Sequence, residues 1–181
     1  MKTPWRSPAG ENEKGLTLVE LMVVLGIISI LGAVAFSMAA STVPRYNLRA
    51  EARELVINFK KAKLEAMKRR RDVVLAFTPG VGTEGGSYQI FADADGNRTY
   101  SAGVDTHLGF QTMRPFVLLT NITFTGNNTW YDSRGMVTAA KTGRCEIRMS
   151  DGSNRYRLVL STTGAARVEA SKDGGTTWTV Q

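Results

Sequence analysis

The strongest constraint in the sequence is an apolar segment near its start. Residues 16–40 contain a single ionisable side chain, that of Glu20, within a chain of 181 residues. As a helix, about 25 residues extend about 37 Å, which exceeds the ~30 Å hydrocarbon thickness of a bilayer. The segment is therefore long enough to span a membrane, and it is longer than the ~7–15 apolar residues of an ordinary secretory signal peptide.

Glu20 is the unexpected residue in this helix. A carboxylate in the hydrocarbon region costs at least ~2.5 kcal/mol, so a simple anchor helix does not explain it. One explanation is a glutamate tolerated at the membrane interface. The other follows from residues 14–21, which read KGLTLVEL and closely resemble the prepilin signal of type IV pilins and type II secretion pseudopilins.

That resemblance implies a leader peptide over residues 1–15 and a transmembrane, filament-core helix over residues 16–43. A prepilin peptidase would cleave between Gly15 and Leu16 and methylate the new amino terminus of Leu16. The leader would lie in the bacterial cytoplasm, so the chain would cross the inner membrane once, with its head in the periplasm. In a periplasmic or surface filament, Glu20 would neutralise the terminal amine of a neighbouring pilin or pseudopilin, an assembly contact strengthened by the low dielectric of the helix bundle.

The second half of the helix is expected over residues 44–72. Pro44 should end, kink or locally loosen the first helix, because proline lacks a backbone donor. Helical periodicity then resumes, with apolar residues at three- and four-residue steps on one face. These residues are Leu48, Ala52, Leu55, Val56, Phe59, Ala62 and Ala66. This half is therefore expected to be amphipathic and to pack on a sheet.

From residue 73 onward, short β-rich runs alternate with turn residues, which predicts an antiparallel β-rich head over residues 73–181. The predicted strands are residues 73–78, 87–92, 116–119, 122–125, 129–132, 144–149, 155–161, 165–170 and 176–180. The expected fold class is α+β and pilin-like, with a long N-terminal helix packed on a C-terminal antiparallel sheet.

Several stretches beyond the signal resemble the GspH/FimT family of minor pseudopilins and minor pilins. They are residues 63–69 followed by 73–75, residues 89–97, and the strand pair within 155–167. The family implies a structural subunit of a type II secretion pseudopilus or a type IV pilus, at or near its tip, acting in assembly or cargo contact. An enzyme is not expected, because the single His107 and the single Cys145 offer no metal cluster or catalytic pair. Cys145 is expected to be a buried apolar residue in a strand.

The chain carries 23 Lys and Arg residues against 16 Asp and Glu residues. The resulting net charge of +7 favours contact with anionic surfaces. Two groups of cations are candidates for anion or nucleic-acid contact. One is the expected helix end with Lys68, Arg69, Arg70 and Arg71, and the other is the set of strand residues Arg144, Arg148, Arg155, Arg157 and Arg167. The alternative for the first group is a solvated helix end, where the helix dipole favours cations.

DNA binding for natural DNA uptake is the alternative function. Some FimT-like minor pilins perform it through a GRxR motif near the C-terminus. The corresponding residues 164–167 read GAAR, which keeps Gly164 and Arg167 but loses the first arginine. Phosphate contacts need only positive charge near the nucleic-acid backbone, so the strand arginines could still bind DNA.

Calcium is a weak candidate ligand, and no other cofactor is expected. Its candidate ligands are Asp93, Asp95, Asn97 and Asp105. Oxygen-bearing side chains alternate from residue 93 onward, as in the first half of an EF-hand loop. An EF-hand would have glycine at position 98 and glutamate at position 104, where this chain has Arg98 and Val104. The loop is therefore a degenerate match.

Residues 171–178 read SKDGGTTW and match the SxDxGxTW pattern of the Asp-box, familiar from sialidase propellers. In those proteins the aspartate caps a turn and the tryptophan packs beneath it, away from the catalytic site. A single copy predicts a well-formed hairpin, and no repeat of the period that a propeller needs is visible in the sequence.

Overall fold

The computed structural model describes residues 17–82 and 85–181, without the side chains of residues 39–41. The chain divides into two compact units, Met1–Ala40 and Ser41–Gln181. One helix, α1, runs over Leu18–Arg69 and contributes residues to both units. Gly15 and Leu16 lie outside the described residues.

The first unit contains the apolar part of α1. All described side chains of residues 18–38 are exposed, and an 18-residue window of α1 has a mean hydropathy of 2.5. The helix is thus long and apolar enough to cross a bilayer, as the sequence predicts.

Thr17 and Glu20 form a reciprocal cap at the start of α1. The Glu20 backbone N–H donates to Thr17 Oγ1 at 3.2 Å, and the Thr17 N–H and hydroxyl donate to Glu20 Oε2 at 3.5 and 3.4 Å. This arrangement is a capping box, which satisfies backbone donors that a helix start otherwise leaves free. Glu20 therefore has a local role within its own subunit.

In the second unit, α1 presents a buried stripe to the head. Its buried apolar residues are Leu48, Ala52, Leu55, Phe59, Ala62 and Ala66. Val56, which was also expected in the stripe, is only partly buried. The helix does not end at Pro44, because a proline removes only its own donor from the ladder. It ends after Arg69, where Arg70 adopts a left-handed conformation with φ 52° and the Arg71 N–H donates to the Ala66 carbonyl at 3.3 Å.

Two antiparallel sheets make up the head. The strands are β1 Val73–Thr78, β2 Ser87–Ala92, β3 Thr106–Thr112, β4 Val117–Thr120, β5 Asn128–Tyr131, β6 Gly143–Met149, β7 Arg155–Leu160, β8 Ala166–Ser171 and β9 Thr179–Val180. Sheet 1 has the strand order β3-β2-β1-β5, and sheet 2 has the order β4-β6-β7-β8-β9. Short 3₁₀ helices cover Thr125–Asn127 and Ala139–Lys141. One core joins the α1 stripe to both sheets.

Three strand predictions differ from the structure. The strand expected over residues 176–180 covers only Thr179–Val180, because the turn held by Asp173 extends through Thr177. The strand expected over residues 122–125 is wrong, because left-handed backbone at Asn121, Gly126 and Asn127 turns the chain there and a 3₁₀ helix follows. Strand β3 was not expected. It is the edge strand of sheet 1 and is mostly exposed, so it lacks the alternation of apolar and polar residues that marks a half-buried strand.

A buried carboxylate on α1 binds the segment that connects β3 to β4. Glu51 is 1% exposed, and its Oε1 accepts the Arg114 backbone N–H at 3.0 Å. The Arg114 guanidinium also donates to Glu54 Oε2 at 2.9 Å, and Asn47 Nδ2 donates to the Pro115 carbonyl at 3.3 Å. Glu51 Oε2 is the one buried side-chain oxygen or nitrogen without a hydrogen-bond partner in the described part of the chain. Burial raises the pKa of the Glu51 carboxyl.

We expect this raised pKa to appear as a pH-dependent difference between the wild type and Glu51→Gln. A carboxyl with a folded pKa above its unfolded value stabilises the fold most below the unfolded pKa of ~4.3, and that contribution is lost as pH rises through the folded pKa. The wild type should therefore lose free energy of unfolding relative to Glu51→Gln between pH 4 and pH 8, measured by chemical denaturation in a neutral detergent.

Glu65→Gln is the matched control, because Glu65 lies on the same helix and its hydrogen bond from Arg69 lowers its pKa. For Glu65 the wild type should gain stability relative to the variant as pH rises through about 4. The same pH trend for both variants would contradict the assignment of Glu51 as a desolvated carboxylate.

Candidate functional site

The five strand arginines share one face of sheet 2, which we call the arginine face: Arg144, Arg148, Arg155, Arg157 and Arg167. Val159 of β7 is paired with Arg144 of β6 and with Arg167 of β8, and Arg148 of β6 is paired with Arg155 of β7. Directly paired residues project on the same side of a sheet. The opposite side carries the core residues Cys145, Ile147 and Leu158. Cys145 is fully buried, as expected.

Two buried glutamates on the arginine face neutralise part of its charge. Glu169 Oε2 accepts a hydrogen bond from Arg157 Nε at 2.5 Å, and Glu169 Oε1 lies 3.1 Å from Arg167 Nε. Glu146 Oε1 lies 3.9 Å from Arg144 Nε and accepts the Asn121 Nδ2 donor at 2.7 Å. These carboxylates hold three of the guanidinium groups in place.

Arg148 and Arg155 form no ion pair with any described residue. Five guanidinium groups against two carboxylates leave the arginine face with a net positive charge. A cavity of about 350 Å³ opens on this face, lined by Arg144, Arg157, Arg167 and Glu169 among others. The arrangement is suited to contact with anionic oxygen atoms such as phosphates.

The second predicted group, residues 68–71, lies on a different element. These residues end α1 and lead into β1 of sheet 1. Glu65 pairs with Lys68 at 3.9 Å and with Arg69 at 2.7 Å, and Arg71 donates to the Ala94 carbonyl at 3.4 Å. Three of the four cations thus have partners at the helix end, and the structure gives no common site with the arginine face.

The candidate calcium ligands do converge. One carboxylate oxygen from each of Asp93, Asp95 and Asp105 lies within 4.8 Å of the others. However, both oxygens of Asp93 and both oxygens of Asp105 already accept backbone N–H groups of the same loop. The donors are Gly96 and Arg98 to Asp93 and Ala94 and Ser101 to Asp105, at 2.7–3.0 Å. The Asn97 amide donates to Asp95 at 2.7 Å, so the loop is organised by its own donors, and calcium binding stays a prediction.

This acidic loop has a packing role that the sequence pattern does not reveal. Val74 and Phe91 are fully buried, although they are paired with each other on the side of sheet 1 away from α1. Tyr100 of the loop covers Phe91 with ring centroids 5.5 Å apart. Arg98 lies 4.1 Å from the centre of the Trp130 ring. The loop therefore closes a second apolar layer on sheet 1.

Residues 171–178 fold as the Asp-box predicts. The Asp173 carboxylate accepts the Thr176 N–H at 3.1 Å, the Thr177 N–H at 3.0 Å and the Ser171 hydroxyl at 2.6 Å. These donors lower the pKa of Asp173 well below its usual range. The Trp178 Nε1–H donates to the Gly175 carbonyl at 2.9 Å, which fixes the indole ring.

The same hairpin supports the arginine face. The Arg157 guanidinium carbon lies 4.1 Å from the centre of the Trp178 ring, within the range of a cation–π contact. Arg157 is thus held by Glu169 on one side and by Trp178 on the other. The sequence pattern does not predict this contact, because Arg157 and Trp178 are about 20 residues apart. They are brought together by the pairing of β7 with β8.

We expect Asp173→Asn to lower the unfolding temperature, because the amide presents one oxygen where the carboxylate presents two charged acceptors. The difference in unfolding temperature between Asp173→Asn and the wild type should become smaller as pH falls below ~4. A carboxyl with a lowered folded pKa loses its stabilising contribution when it is protonated. Thermal unfolding followed by circular dichroism at pH 7 and pH 3 measures both effects. Lys172→Gln, at an exposed position of the same hairpin, is the control and should unfold at the wild-type temperature. An unfolding temperature of Asp173→Asn equal to that of the wild type would refute the role of Asp173.

The long helix, the two antiparallel sheets and the capped apolar amino-terminal segment define a pilin-like protein. The family model "Type II transport protein GspH" matches residues 51–164, and the "Prokaryotic N-terminal methylation motif" matches residues 11–36. The chain belongs to the GspH family within the type IV pilin and pseudopilin superfamily. Both the expected family and the expected fold class are confirmed, and the family is one of structural subunits rather than enzymes.

A curated relative is the "Pilin-like protein PilA1" of Thermus thermophilus, 33% identical over 163 residues, which covers 87% of this chain and 99% of that protein. Among solved structures, the minor pseudopilin EpsH of the Vibrio cholerae Type 2 Secretion System is 14% identical with a TM-score of 0.47, covering 67% of this chain and 95% of that chain. The type IV minor pilin FimU of Pseudomonas aeruginosa is 15% identical with a TM-score of 0.40, covering 76% and 90%. The family assignment rests on the sequence matches.

Proposed function

We propose that this chain is a minor subunit of a type II secretion pseudopilus or a type IV pilus, at or near the tip, where it acts in assembly or cargo contact. The methylation motif over residues 11–36 is the observation that carries the proposal. The prepilin peptidase cleaves between Gly15 and Leu16 and methylates Leu16. Before assembly the protein sits in the inner membrane with its head in the periplasm, anchored by the apolar part of α1.

Glu20 is the proposed assembly residue. In the isolated chain both local donors from Thr17 reach Glu20 Oε2, which holds the carboxylate at the first turn of α1. A carboxylate at this end of a helix is also favoured by the helix dipole. In the filament the terminal amine of a neighbouring subunit binds the same carboxylate, and the ion pair is strong because the helix bundle excludes water.

We expect Glu20→Gln to be processed normally but to enter filaments at least about tenfold less efficiently, the effect of ~1.4 kcal/mol lost from a subunit contact. Processing is measured by the intact mass of the chain from cells that contain the prepilin peptidase. Incorporation is measured by immunoblot of sheared filaments. Normal incorporation of Glu20→Gln would refute the role of Glu20.

Thr17→Ala separates the two roles of the carboxylate. This variant loses the cap, worth ~1 kcal/mol, but keeps the charge of Glu20. It should therefore enter filaments nearly as well as the wild type. A defect equal to that of Glu20→Gln would assign Glu20 to capping alone.

Duplex DNA binding through the arginine face is the second candidate function. The guanidinium groups of Arg148 and Arg155 support it, because neither forms an ion pair with the described residues and Arg155 donates only to the Gly152 carbonyl at 3.5 Å. If the arginine face contacts two or three phosphates, the affinity for duplex DNA should fall by about 10- to 40-fold when the salt concentration rises from 50 to 200 mM. Fluorescence anisotropy of the full chain in a non-ionic detergent, with a labelled duplex, measures this dependence.

The double variant Arg148→Ala, Arg155→Ala should bind the duplex more weakly and with a smaller salt dependence than the wild type. Arg134→Ala is the control, because Arg134 is bound to Asp132 at 2.8 Å in a turn after β5. No binding of the wild type at 50 mM salt, or equal binding by the double variant, would exclude the arginine face as a DNA site.

A further inference from the structure

A second cationic surface lies on the other side of sheet 2, within the unit Ser41–Gln181. It is a groove of about 770 Å³ between α1 and the β8–β9 edge of the sheet, which we call the edge groove. Apolar side chains line it from both walls, among them Val56 and Ile57 on the helix and Tyr156 and Val168 on the strands. Ile57 is 62% exposed, so the described residues leave this apolar surface uncovered.

One wall of the edge groove is an open strand edge. Strand β8 pairs with β7 along its whole length, but on its other side β9 pairs only with Glu169 and Ala170. The Gln181 N–H adds one bond to the Val168 carbonyl at 3.0 Å. Backbone groups of every second residue in a strand face the same neighbour. The N–H and carbonyl of Ala166 therefore face the open side, beyond the end of the β9 pairing.

The helix wall supplies cations without partners. Arg49, Arg53 and Lys60 line the edge groove, and none of them forms an ion pair or a side-chain hydrogen bond with the residues that the structure describes. No aspartate or glutamate side chain is among the described residues that line it. The arginine face differs in this respect, because Glu146 and Glu169 compensate part of its charge.

We infer that the edge groove binds an extended acidic segment of a partner protein, which adds to sheet 2 as a strand beside Ala166. Strand addition satisfies the free backbone groups of an edge, and the flanking side chains select the sequence. The side chains of the added strand that face α1 are carboxylates, which meet Arg49, Arg53 and Lys60. The alternate side chains of the added strand face the other side of the sheet, beside Arg167.

The dimensions suit this occupant. Arg49 and Lys60 are separated by about 16 Å along the helix axis, so an extended segment of about five residues reaches all three cations. The part of that segment beside Ala166 pairs with the open edge of β8. A second copy of the chain is a poor occupant, because the chain carries a net charge of +7 and stays strongly positive after loss of residues 1–15. The partner is therefore a different, acidic protein. This inference does not depend on the role of Glu20 or on membership of a particular filament.

The test uses a fluorescent eight-residue peptide of alternating glutamate and valine, with the full chain in a non-ionic detergent. We expect saturable binding by anisotropy. The same peptide with N-methyl groups on alternate backbone amides should bind at least about tenfold more weakly, because it cannot complete a strand ladder. A peptide of alternating lysine and valine should not bind, because its charge repels the helix wall.

Ala166→Pro and the double variant Arg49→Ala, Arg53→Ala should each weaken binding about tenfold or more. Proline at the first position of β8 removes only a donor on the open side, so the β7 ladder is kept. The double variant changes only exposed side chains and keeps the test valid if Ala166→Pro unfolds. Lys61→Ala, adjacent to Lys60 but outside the groove lining, is the matched control and should bind within about twofold of the wild type.

Three results would overturn the inference. One is equal binding of the N-methylated peptide, which would mean charge attraction without strand addition. Another is equal binding by the double variant. The third is displacement of the peptide by duplex DNA in a manner that depends on Arg49 and Arg53, which would assign the edge groove to nucleic acid. None of these results alters the outcome expected for Glu20→Gln in filaments, so failure here is distinguishable from failure of the proposed function.

Discussion

The contact between the α1 stripe and the two sheets is the interaction on which the rest of the head depends. Phe59 shows why, since its ring lies 6.0 Å from Phe77 and 6.5 Å from Tyr131 in sheet 1 and 6.4 Å from Phe124 in the segment before β5. Alanines at positions 52, 62 and 66 keep the stripe narrow, so both sheets approach the same helix. The sheets share one core on this face, and their other faces are free to carry the acidic loop and the arginines.

Two buried carboxylates of the head differ in how their oxygens are satisfied. Glu169 is held between two guanidinium groups, whereas Glu51 accepts a backbone N–H and its second oxygen stays unsatisfied. A buried acceptor without a donor costs free energy. The chain tolerates this cost at Glu51 because the same side chain fixes the crossover between the two sheets onto the helix.

Local pattern was enough to predict the parts of the fold that are set within a few residues along the chain. The helical stripe follows from three- and four-residue steps, the Asp-box follows from its own turn, and most strands follow from alternation. What the sequence could not predict depends on register between distant strands. Glu169 reaches Arg157 across the β7–β8 ladder, and Glu51 meets Arg114 63 residues later. Strand β3 escaped prediction because an exposed edge imposes no apolar pattern, and the arginines were identified without the glutamates that hold three of them.

The two cationic surfaces of sheet 2 are linked through β8, because alternate residues of one strand face opposite sides. Arg167 belongs to the arginine face, and at the sheet edge it also lines the edge groove together with its neighbours Ala166 and Val168. A strand added beside Ala166 would widen the sheet and place every second side chain of the partner next to Arg167. A partner segment with carboxylates on that side would compete with Glu169 for Arg167 and lower the positive charge of the arginine face. Occupation of the edge groove by an acidic protein would therefore oppose phosphate binding on the other face, through charge alone and without any change of fold.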